Sequence, residues 1–113
     1  MEKEFENMLA LAFRILSEGP QQVLICRTAD GEIHEASLLH ITEGDHREED
    51  FLLKELAGKS VTHIIVLRED TSIDVPSFYF RQQLKTLCPG SEQALVLLQT
   101  GSGQMPIPLS MLP

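Results

Sequence analysis

Tryptophan is absent, tyrosine occurs once, and only two cysteines are present. Cys26 falls in an apolar, strand-like run and Cys88 stands just before Pro89-Gly90. Neither setting argues for a disulfide, so a reducing cytoplasm is the expected location. No apolar run approaches the roughly 20 residues of a membrane span, and no membrane role is expected. The opening MEKEFENM lacks the basic stretch that begins a secretory leader. Basic residues are scarce too: 9 Lys and Arg stand against 17 Asp and Glu, for a net charge of −8. Binding to a nucleic-acid duplex by charge alone is excluded, because that affinity comes from basic side chains displacing counterions. A nucleoside carries no phosphate and is not excluded by this argument. The acidity by itself favours solubility.

What is present suits one folded domain spanning residues 1–113. Hydrophobic residues make up 42% of the 113, enough for a continuous core. Residues 2–18 place Phe5, Met8, Leu9, Ala12 and Leu16 at helical spacing, and Gly19-Pro20 stops that helix. A strand is expected over 21–28, a turn at Ala29-Asp30-Gly31, and a return strand over 32–42. A polar loop leads to a helix over 47–57, with Phe51, Leu52 and Leu56 on one side and Gly58 ending it. The run VTHIIVL, 61–67, is almost continuously apolar and β-branched, as a central strand covered on both faces tends to be. Residues 68–75 read as a loop. Pro76 suits the first turn of a third helix that runs to about Leu87. Strands follow at 94–100 and from Met105. Pro106 and Pro108 lack amide donors and confine the last strand to an edge.

The order α-β-β-α-β-α-β-β predicts an α/β three-layer sandwich around a five-stranded mixed sheet. The first helix lies on one face and the other two on the opposite face. The last two strands are joined too tightly for a crossover, so they run antiparallel.

Two helix starts carry the residues of chemical interest. One opens His46-Arg47-Glu48; the other opens Pro76-Ser77-Phe78-Tyr79-Phe80-Arg81-Gln82. Zinc nucleobase deaminases carry H-x-E or C-x-E at one helix start and P-C-x-x-C at the next. The stretches ADGEI, HREEDFLLKEL, THIIVL, PSFYFRQQLKTLCPG and IPLSMLP follow one another as in the small cytidine deaminases, and the chain resembles that family over nearly its whole length. The resemblance implies that His46 corresponds to the first metal ligand and Glu48 to the proton shuttle. It places Pro76, Ser77, Phe80 and Arg81 about the same pocket, and it implies a homo-oligomer.

The departures are as specific. The two metal cysteines fall on Ser77 and Phe80, which leaves His46 as the one competent ligand; no zinc or other cofactor is expected. Ser37, Leu38, Leu39 and His40 replace a ribose-binding N-x-E segment, and Glu49 stands where the family often has arginine. Cys88 lies about 15 Å along the helix from its start, too far to complete a site. His34, His40 and His63 read as satisfied strand residues. Of Phe78, Tyr79 and Phe80, at least one belongs to the core.

Two functions stay open. One is a non-catalytic deaminase-like protein that keeps the fold for binding or assembly, with a nucleoside-like ligand or a protein partner and Glu48 a vestige. The other is an active deaminase with an atypical metal site built on His46 and Glu48. A plain α/β domain with no such ancestry is the bland alternative.

Overall fold

The computed structural model describes residues 2–38 and 44–112. Helix α1 spans Lys3–Leu16, strands β1 and β2 span Gln22–Thr28 and Ile33–Leu38, and helix α2 spans Arg47–Leu56. Strand β3, Val61–Arg68, is followed by the short strand β4, Ile73–Asp74, and helix α3, Phe78–Leu87. Strands β5, Leu95–Thr100, and β6, Gly103–Pro108, complete the sheet before a final 3-10 turn over Leu109–Met111.

The strands lie in the order β2-β1-β3-β5-β6, with β4 pairing β3. Among the described residues β3 and β5 run parallel, and β1/β2, β1/β3, β3/β4 and β5/β6 are antiparallel. The mixed sheet, the antiparallel final pair and the edge position of the proline-bearing β6 are as the sequence predicts. The strand count is six rather than five, because residues 68–75 hold β4 and not only a loop.

Each face of the sheet is covered on its own terms. Against one face α1 turns Phe5, Met8, Ala12 and Ile15 onto Val23, Ile25, Ile65, Leu67 and Leu97. Residues spaced three, four and three apart line one side of a helix, so the stripe follows from the sequence. Against the other face α2 and α3 bury Leu52, Leu53, Leu56, Phe80 and Leu84 on Leu24, Cys26, Ile64, Val66 and Val96. The buried stripe of α2 is Glu49, Leu52, Leu53 and Leu56. Phe51, expected on that side, is 66% exposed, because it lies about 100° around the helix from Leu52. Fully burying a Leu or Phe contributes about 1.5–3 kcal/mol, and both layers draw on many such residues.

Two turns share one geometry, the first at the far end of the sheet from the helix starts and the second beside them. At the β1–β2 turn Gly31 has φ 88°, and the Asp30 carboxylate accepts from the Glu32 amide. The β3–β4 turn repeats this arrangement. Asp70 accepts from the Ser72 amide at 2.9 Å, but Thr71, φ 69°, stands where the first turn has glycine. A β-branched residue there is unfavourable, and that is why the hairpin does not show in the sequence.

Candidate functional site

The starts of α2 and α3 converge beside the end of β3, and each is fixed by local chemistry. His46 is the residue before α2, and its carbonyl accepts the first helical bond from the Asp50 amide at 2.8 Å. Asp45 accepts from the Arg47 amide at 3.1 Å and pairs with the Arg47 guanidinium at 3.0 Å. The Arg47 hydrogen bonds hold the Asp45 carboxyl below its ordinary range. Glu48, Glu49 and Asp50 fill the first turn, where negative charge complements the helix dipole. Strand β4 delivers the chain to α3: Asp74 accepts from the Val75 amide, Pro76 is buried, and Ser77 caps the helix by accepting from the Phe80 amide at 3.1 Å. Pro76 thus precedes the cap rather than occupying the first turn.

Between the two starts lies a cavity of about 420 Å³. Its polar lining comes from Gln22, Asp45, His46, Glu48, Glu49 and Ser77, with Arg68 and Asp74 facing one another at 3.8 Å. Leu24, Val66 and Val75 supply apolar wall.

Glu49 holds this junction together. Its side chain is 10% exposed. One oxygen takes a hydrogen bond from His46 Nδ1 at 2.8 Å and the other from Ser77 Oγ at 2.7 Å. The proton positions follow from bookkeeping. A carboxylate only accepts, so His46 carries its proton on Nδ1; Ser77 Oγ already accepts from the Phe80 amide, so its hydroxyl hydrogen goes to Glu49. The His46 ring stacks on Tyr79, with centroids 3.9 Å apart and planes 17° from parallel. Tyr79 donates to Asp50 at 2.6 Å, and that bond raises the phenol above its ordinary range. A second pair of groups therefore ties α2 to α3 alongside the first.

A scan of protein-family models and a search of curated proteins find no match. Solved structures do match. The cytidine deaminase from Bacillus anthracis superimposes with a TM-score of 0.69 at 16% identity, over 96% of this chain and 85% of that one. The cytidine deaminase from Mycobacterium leprae gives 0.66 at 10% identity, covering 93% and 94%. That from Burkholderia pseudomallei gives 0.64 at 16% identity, covering 100% and 98%. The chain has the cytidine deaminase fold.

On that fold, the residues at the helix starts do not fit a catalytic zinc site. Such a site needs three protein ligands and an open position. Ser77 offers a neutral hydroxyl, a poor zinc ligand, whose hydrogen goes to Glu49 and which accepts from the Phe80 amide. Phe80 is fully buried among Leu52, Leu56 and Leu84 and is not part of the cavity wall. Cys88 ends α3, opposite Ser77; its thiol, at 3.1 Å from the Leu56 carbonyl, is pushed up by burial, and so is that of Cys26. Among the described residues, Glu2, Glu4 and His63 are a group close enough to share an ion, with ligand atoms within 4.8 Å of one another. It lies where α1 meets β3, across the sheet from the cavity.

The structure brings His46, Glu48, Pro76 and Ser77 to the cavity and leaves two residues named from the sequence out of its wall. Phe80 turns into the core, and Arg81 sits on α3 with its guanidinium 5.8 Å from the Phe78 ring. His34 bonds Glu55 at 3.0 Å and His63 bonds Thr62 at 2.8 Å, as strand residues with ordinary partners; Leu39 and His40 lie outside the described residues. Glu49 and Tyr79 are the residues that sequence reasoning undervalued. Glu49 was legible in two ways. It stands three after His46, the spacing at which a residue reaches back to a helix cap, and it continues the Leu52, Leu53, Leu56 stripe.

Proposed function

We propose that this chain is a non-catalytic protein of the cytidine deaminase fold, whose cavity serves binding and whose surface serves assembly. One observation carries the reading: beside His46 the two helix starts present no thiolates, Ser77 being a capping hydroxyl and Phe80 a buried core ring. A hydrolytic deaminase needs a metal that brings the pKa of water from about 15.7 toward 7. General-base help from Glu48 is worth only about 10²–10⁴-fold and does not replace it. The cavity, with its apolar wall and convergent polar groups, suits a nucleoside-like small molecule. Glu48 is then a first-turn acid that favours the helix dipole.

Assembly is the second half of the proposal. Phe51 and Phe78 are each 66% exposed, and Met105 and Met111 are 48% and 69% exposed. These side chains flank the site-side helices and the last strand, and a homo-oligomer covers them. Light scattering at tens of micromolar is expected to give a mass above the 12.7 kDa of one chain; a monomer mass removes this half.

The competing reading is an active deaminase with a metal held at His46 and Glu48, and its support is that both residues line the cavity. A spectrophotometric cytidine assay separates the two. The proposal expects no turnover with or without added zinc. Turnover that a chelator abolishes establishes the enzyme instead.

A further inference from the structure

At the two helix starts the usual roles of the side chains are reversed. Metal ligands present lone pairs to a cation. His46 and Ser77 present hydrogens, one each, to the two oxygens of a single buried carboxylate. We infer that Glu49 is an internal anion that takes over the structural duty of a metal at this junction: it clamps the start of α2 to the start of α3. The site is thus closed to zinc by an occupied hub as well as by absent cysteines. This goes beyond the proposed function, which requires only that catalysis be lost.

Three features converge on it. Glu49 lies on the core-facing stripe of α2, where an unpaired carboxylate is costly and a paired one is fixed in place. Both oxygens are satisfied by donors from different elements, at 2.8 and 2.7 Å, the short range of charge-assisted bonds. Both donors are themselves held, His46 by its stack on Tyr79 and Ser77 by the Phe80 amide. A side chain that merely tolerated burial would not need such a supporting shell.

The inference predicts a gap of defined chemistry. Glu49→Ala removes the last carbon and both oxygens together with one methylene, which is acetate in outline. The variant is expected to melt about 5–10 °C lower than the natural protein, the effect of losing two hydrogen bonds to one buried carboxylate. Sodium acetate at constant pH should then raise its melting temperature saturably, by several degrees beyond sodium chloride of equal ionic strength, as a ligand specific for the folded state does. The double variant Glu49→Ala/Ser77→Ala, which lacks one donor, should gain less from acetate. Zinc should raise none of these temperatures. A Glu49→Ala protein that melts with the natural one, or that responds equally to acetate and chloride, overturns the inference. If Glu49→Ala does not fold, Glu49→Gln decides: it keeps the volume but loses one acceptor, and an unchanged melting temperature contradicts the clamp. Failure here leaves the proposed function standing, whereas zinc stabilisation of the natural protein sinks that function directly.

Discussion

The two faces of the sheet are built from similar apolar residues and end in different chemistry. Beneath α1, Phe5, Met8, Ala12 and Ile15 meet five aliphatic strand residues, and His63 meets the Phe5 ring edge-on at the margin. Beneath α2 and α3 the same kind of packing runs from Cys88 to Leu52, then gives way to a buried carboxylate, a histidine, a serine and a cavity. The lesson is one of allocation. The α1 face is a foundation of apolar packing, while the far end of the opposite face accepts the desolvation of Glu49 to hold two helix starts together.

The comparison can be broken by substitution. Phe5→Ala is expected to have the largest effect, about 3–5 kcal/mol lost in denaturant unfolding, with no change at the cavity; altered signals from His46 or Tyr79 would couple the two faces and contradict their independence. Glu49→Ala should cost about 1–3 kcal/mol and shift precisely those signals. Ser77→Ala removes the α3 cap as well as one donor, and about 0.5–2 kcal/mol is expected from the cap; a neutral result would mean that α3 starts without it. The smallest change should be a gain. Thr71→Gly relieves the positive φ in the hairpin that delivers α3 and should add about 1 kcal/mol. A loss would show that the threonine side chain has a partner worth more than its backbone strain.

Much of the fold was legible because its signals are local. Apolar spacing announced α1, the β-branched run announced β3, and Asp30-Gly31 announced the first hairpin. The second hairpin uses the same turn geometry with Thr71 in the glycine's place, so its two-residue strand β4 went unread. The site was half legible for a related reason. Periodicity put His46, Glu48, Pro76 and Ser77 at helix starts, and the resemblance to the cytidine deaminases implied that those starts share a pocket. Phe80 was misjudged because one residue of rotation about a helix axis decides between cavity and core. Glu49 was read as a departure from an expected arginine because the resemblance directed attention to Glu48, while its contacts depend on a donor 28 residues away on another helix. Contacts of that kind arise from tertiary packing and leave only faint marks in sequence.

The central claim is that a carboxylate, not a cation, organises the helix junction. Elemental analysis of the protein, purified without chelators and dialysed against zinc-supplemented and then zinc-free buffer, tests this most directly. The account predicts far less than one zinc per chain retained, and the same value for His46→Ala. One zinc per chain in the natural protein, lost on His46→Ala, would contradict it.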